Sequence, residues 1–300
     1  CPRAIWRPGS PAPTRSPRGV LKSAALAYAR GDLLVARREL EALIGDRRVW
    51  GTDRLDAHFL LGWINDRLGQ HQQASANFYK LRKADDHPLR EYANYLEARA
   101  DLARGHERAA VEECAAYLVE WPQGRWADDC LLVEADGHAR LGLVKLAVEQ
   151  YEAFLLARPD DQRHEAIALR IARALEQLGS AESAGRRYRA LYLDHKLPTT
   201  GREAEAALRR IEASGTQLPA LTDDDLYVRA CSLRRSGEFE ASYQLYCDLD
   251  GRNSADDSTG NRALGERLDR ERHEFLWRNR QYDVVAEESA RGYDRAPTGP

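Results

Sequence analysis

The histidine–glutamate pairs His164-Glu165 and His273-Glu274 are among the residues of this chain whose types could hold a metal or move a proton. Zinc hydrolysis on a helix needs a second histidine four residues after the first, so that both imidazoles share one face. Ala168 and Trp277 stand at those positions, and the other histidines are scattered. There is neither a glycine-rich phosphate loop nor a Gly-x-Ser-x-Gly elbow. Paired aspartates such as Asp128-Asp129, Asp160-Asp161 and Asp256-Asp257 fall near helix starts or in loops, where a helix dipole or water stabilises the charge. Cys114 and Cys130, and likewise Cys231 and Cys247, are spaced so that adjacent antiparallel helices could bring them together. They could form two disulfides in an exported protein, or serve as small buried apolar residues at helix contacts. No CxxC spacing marks a structural zinc site. The expectation is a chain without catalytic residues, metal or cofactor.

The elements that would position any site are set by a recurring mark. A glycine is followed five residues later by a small residue and four further on by a larger one. It reads Gly31-Ala36-Leu40, Gly69-Ala74-Phe78, Gly105-Ala110-Cys114, Gly142-Ala147-Tyr151 and Gly179-Ala184-Tyr188, at intervals of 38, 36, 37 and 37 residues. The glycine supplies a left-handed turn after a first helix, the small residue admits the second helix closely, and the large residues fill the groove between hairpins. Pro122 and Pro159 stop two of the second helices. Leu61-Gly62 adds the first-helix pair common in tetratricopeptide repeats. The predicted fold is all-α, a tetratricopeptide-like α-solenoid of antiparallel helical hairpins.

The organisation predicted along the chain has four parts. Residues 1–18 form a Pro/Arg/Ser-rich tether. Five regular hairpins occupy 19–194. Looser repeats fill 195–294, with a loop over His195–Thr200, a helix from Arg202 and a mobile loop near 250–261. A frayed tail spans 295–300. A formal net charge of −3 and an isoelectric point near 6.3 argue against nucleic acid. No run approaches the roughly 20 apolar residues of a membrane-spanning helix. The chain contains no methionine and begins at Cys1, so two readings stay open: Cys1 is the lipid-attachment residue of a mature lipoprotein, or the sequence is a fragment.

In such arrays the first helices build the inner face. Six residues before each glycine they carry Trp63, Arg99, Asp136 and Arg173, with Tyr92 and Tyr95 nearby. This ladder suits an extended polar ligand, either a protein or peptide segment or a glycan strand. The alternative is that its charges pair with one another between neighbouring hairpins. It lacks the regular Lys/Asn set that clamps a C-terminal carboxylate.

The run His87-Pro88-Leu89-Arg90-Glu91-Tyr92-Ala93-Asn94-Tyr95-Leu96-Glu97-Ala98, followed by Tyr117-Leu118 and Trp121-Pro122, resembles the superhelical part of soluble lytic murein transglycosylases. The segments Tyr188–Tyr192, Glu203–Leu208, Arg229–Leu233 and Arg267–Ala290 fit the same pattern, so the similarity covers most of residues 50–293. The resemblance implies a bacterial periplasmic or cell-envelope protein whose helical array positions a lysozyme-like catalytic module against peptidoglycan. Glu288-Ser289 is similar to that family's catalytic pair, but the Gly-Leu-Met-Gln segment that should follow is missing, which leaves Glu288 as a surface residue. A second reading is a tetratricopeptide lipoprotein of the envelope that acts as an assembly scaffold, and a third is a cytoplasmic peptide-binding adaptor.

Overall fold

A computed structural model of the chain describes residues 16–255 and 262–278. Among the described residues there are fourteen α-helices and no strand. They are α1 (Pro17–Ala29), α2 (Leu33–Gly45), α3 (Gly51–Arg67), α4 (His71–Arg82), α5 (Arg90–Ala103), α6 (Glu107–Glu120), α7 (Ala127–Arg140), α8 (Val144–Ala157), α9 (His164–Gln177), α10 (Ala181–Leu193), α11 (Pro198–Ala213), α12 (Asp223–Arg235), α13 (Phe239–Ala255) and α14 (Arg262–Arg278). The chain divides into two compact units, 1–154 and 155–300.

Helices α1–α10 follow one another with a glycine of the ruler between α1 and α2, α3 and α4, α5 and α6, α7 and α8, and α9 and α10, and each of these glycines has positive φ. The small residues after them, Ala36, Ala74, Ala110, Ala147 and Ala184, are all fully buried, as are Leu40, Phe78, Cys114, Tyr151 and Tyr188. Gly62 shows why the second hairpin needs its first-helix glycine. A Cβ there would lie 2.7 Å from the buried Phe78 ring, so the ring packs directly on the α3 backbone.

The apparent gap after the fifth hairpin has a specific cause. Gly215 (φ 90°) ends α11, thirty-six residues after Gly179, so the ruler continues through this point. The small residue five positions on is Ala220, but Pro219 precedes it, and no second helix forms. In its place the segment Thr216–Leu221 crosses α10. Leu218 fills the notch left by Gly185, where a Cβ would sit 2.6 Å from its Cδ2. Arg189 of α10 donates to the Pro219 and Ala220 carbonyls and pairs with Asp225 of α12 at 2.7 Å. Thr222 and Asp225 form a capping box at the start of α12.

Three expected boundaries differ. The loop predicted over His195–Thr200 ends early, because Pro198 starts α11 at the position where its fixed φ and missing N–H cost nothing. Helix α13 continues through Asp250 to Ala255. Gly251 and Arg252 are exposed there, and Asp250 pairs with Arg272 of α14. Within the predicted tether, Ser16 caps α1 by accepting from Gly19 N–H at 3.2 Å. Cys1, the rest of the tether, residues 256–261, Glu288 and the tail lie outside the described residues. Cys114 and Cys130 are buried thiols, and Cys231 and Cys247 are half-buried ones.

Candidate functional site

The first helices of the first unit place a row of aromatic side chains together. Tyr28 comes from α1, Phe59 and Trp63 from α3, Tyr92 and Tyr95 from α5, and Trp126 from the turn that starts α7. Trp63 Nε1 donates to the Tyr28 hydroxyl at 2.7 Å, which fixes the first step of the row. The Trp63 and Tyr92 rings then meet at 5.9 Å between centroids, and Tyr92 stacks on Trp126 at 4.4 Å and 9°. Tyr95 lies parallel to Trp126 at 5.1 Å. Such contacts hold rings in place beyond the area they bury. Burial raises the phenol pKa values of Tyr92 and Tyr95, so both remain neutral donors.

Trp126 is placed by a polar knot. Tyr117, fully buried, donates to Glu91 at 2.6 Å and accepts from Trp126 N–H at 3.0 Å. Glu91 also accepts from Arg125 N–H at 2.8 Å. Gly124 makes room for it, since a Cβ there would lie 2.5 Å from the Tyr117 hydroxyl. A groove of about 270 Å³ opens along the row, lined by Ala24, Ala25, Tyr28, Phe59, Trp63 and Tyr92 together with Leu60 and Ile64. Pockets that enclose whole small molecules run from about 300 to 1,000 Å³. This one suits a single bulky apolar side chain.

The predicted ladder is only partly gathered here. Trp63 and Arg99 come side by side, with the guanidinium 6.0 Å from the indole and 5.8 Å from the Tyr95 ring. Arg99 also pairs with Asp66 of α3, the neighbouring first helix. Asp136 accepts from the Tyr151 hydroxyl of its own hairpin. Arg173 belongs to the second unit, where it pairs with Glu203 of α11, and Glu176 likewise holds Arg210. Arg99 and Arg173 therefore staple successive first helices, Asp136 ties its own hairpin together, and Trp63 and Tyr92 line the open space. Tyr28, Phe59 and Trp126 escape the sequence reading because they lie off the six-before-glycine register.

Two buried polar clusters also bear on chemistry. In the first unit, Glu97 and Asp101 share a face of α5 and meet Glu113 of α6, with ligand oxygens within 4.8 Å of one another. Arg82 reaches Glu97 at 2.7 Å and Arg104 reaches Asp101 at 2.5 Å, so two guanidinium groups already neutralise the pair. Glu113 is left with one unpartnered oxygen. Burial, reinforced by the charges of Glu97 and Asp101, pushes its pKa up to about 9. The cluster holds a proton. In the second unit, Ser232 Oγ lies 3.2 Å from His195 Nδ1, and His195 Nε2 lies 3.7 Å from Glu238, an outline that invites comparison with a hydrolase triad. Both Ser232 and His195 are at most 1% exposed, and a Cβ on Gly201 would sit 2.6 Å from the imidazole. Ser232 Oγ donates to the His195 carbonyl and accepts from its N–H, both at 2.8 Å. These residues pin the α10–α11 connection to α12, and no substrate reaches the hydroxyl.

No family model and no curated protein sequence matches the chain. Solved structures do. A tetratricopeptide repeat protein from Parabacteroides merdae aligns at 15% identity with a TM-score of 0.51, over 84% of this chain and 97% of that one. The apo form of RapI aligns at 10% identity with a TM-score of 0.50, over 90% and 94%. NprR, solved in complex with its cognate peptide NprX, aligns at 13% identity with a TM-score of 0.47, over 93% and 79%. At these identities the first two alignments establish the fold, a tetratricopeptide-like array of helical hairpins.

Proposed function

We propose that this chain is a non-catalytic helical-repeat scaffold that receives an extended segment of a partner protein in the aromatic groove of its first unit. The observation that carries this reading is the groove itself. Half-buried aromatic rings from α1, α3 and α5 surround a recess whose eight lining residues are all apolar or aromatic. Aromatic anchoring sites of this kind supply most of the binding energy of interfaces. The test is isothermal titration of the chain with peptide pools carrying one central Trp, Phe or Leu. Binding should weaken at least tenfold in Trp63→Ala. Unchanged binding in that variant, with its helical circular dichroism intact, would refute the groove.

A second reading follows from Tyr92 and Tyr95, which lie inside the His87–Ala98 run that resembles the lytic transglycosylases. Aromatic faces also suit sugar rings, so a peptidoglycan glycan strand is the alternative ligand, with a periplasmic or envelope location and Cys1 as a lipid anchor. Purified glycan strands titrated in the same assay separate the two readings: a Trp63-dependent affinity for strands, with none for the peptide pools, selects this one.

A further inference from the structure

The groove is flanked by two arginines that the helices do not use among themselves. Arg67, the last residue of α3, lies over the Tyr28 ring at 5.8 Å. Arg125 lies over the Trp126 ring at 5.4 Å, one ring beyond the recess. Both are exposed, and neither pairs with a carboxylate among the described residues. Their neighbours differ: Arg82, Arg90, Arg99 and Arg104 all pair with Glu or Asp. Asp66, beside Arg67 in α3, is committed to Arg99 and His71. A guanidinium held over a ring face keeps its N–H edge free, and that edge matches a carboxylate in a two-pronged contact.

From this arrangement we infer that the groove selects an acidic peptide segment, one with a bulky apolar residue for the recess and Asp or Glu on both sides of it for Arg67 and Arg125. The inference rests on the peptide-binding reading of the groove and adds the partner's charge. It also accounts for the absence of a Lys/Asn clamp: the carboxylates come from side chains flanking an anchor, and a free C-terminus is not required.

The test uses the full chain and three fluorescein-labelled peptide pools that share a central Trp or Leu, flanked by three Asp/Glu, three Asn/Gln or three Lys/Arg on each side. In fluorescence anisotropy the acidic pool should bind about three- to tenfold tighter than the neutral pool at low salt, the range expected for two solvent-facing ion pairs. That margin should shrink toward 0.5 M salt as the charges are screened. Arg67→Gln and Arg125→Gln, both at exposed positions, should each reduce it, and the double variant should abolish it while the neutral pool keeps its affinity. Equal binding of the acidic and neutral pools, or a preference that survives the double variant, overturns the inference and leaves the groove standing. Failure of every pool to bind, with no effect of Trp63→Ala, overturns both.

Discussion

Replacing Glu113 by glutamine should change how stability depends on pH, and the structure gives both sign and size. In the folded chain Glu113 keeps its proton until about pH 9, whereas an unfolded chain releases it near the ordinary 4.5. Across that window the folded state binds one proton more than the unfolded state. Stability must therefore fall as pH rises, by up to about 1.4 kcal/mol per pH unit. From pH 6 to pH 8 that is up to about 3 kcal/mol, or roughly 6–12 °C of melting temperature for a unit of this size. Glutamine has nearly the same shape, stays neutral, and can still donate to Glu97. The Tm of Glu113→Gln minus that of the wild type should therefore grow steadily from pH 5 to pH 8. Comparing the two proteins cancels the titrating groups outside the Glu97–Asp101–Glu113 cluster. These include His58 and His195, which burial holds neutral and which destabilise the fold as pH falls below 6.5. Differential scanning calorimetry at fixed ionic strength reads the difference. A variant-minus-wild-type difference in Tm that stays constant over this range, or falls as pH rises, would refute the assignment of the proton to Glu113.

Other outcomes follow from packing. Gly62→Ala drives a methyl into the Phe78 ring and should cost about 1–3 kcal/mol in chemical denaturation, while Gly45→Ala, with open space around it, should cost far less. Gly215→Ala places a side chain at φ 90° and should cost about 1–2 kcal/mol, seen as earlier melting of the second unit. Phe78→Ala empties a fully buried ring site and should cost about 3–5 kcal/mol, measured by the same denaturation.

The hairpins were legible because their signals are local. A left-handed glycine, a small residue five positions on and an apolar residue four further mark one turn and one contact, all within ten residues. The half-hairpin at α11 was hidden because one residue, Pro219, cancels a second helix that Gly215 and Ala220 otherwise announce. Register reasoning also put Trp63 beside Arg99, since the same position on adjacent first helices is adjacent in space. It could not foresee that Arg99 would be claimed by Asp66, or that Trp126, outside the register, would close the row. The choice among partners for a side chain is made by packing between helices. The Glu97–Asp101–Glu113 cluster was invisible for the same reason, as its third member comes from the facing helix.

The missing helix after α11 has a mechanical consequence. Repeat arrays relay stability through the apolar seam between neighbours. In the second unit that seam is interrupted. The core of α9–α11 closes on Ala204, Ala207 and Ile211, and a separate small core of Ala230, Tyr246 and Leu249 joins α12 to α13. What spans them is largely polar: Arg189 to Asp225, Arg229 to the Tyr192 carbonyl at 2.7 Å, and the Ser232–His195 pair. A tether of that kind yields over short distances and weakens with salt where it faces solvent. Pulled from its C-terminal side, the chain should give way first between Thr216 and Leu221, an early low-force step in single-molecule unfolding. Like a shear pin, the joint lets α12 and α13 part from the array while α9–α11 stay folded.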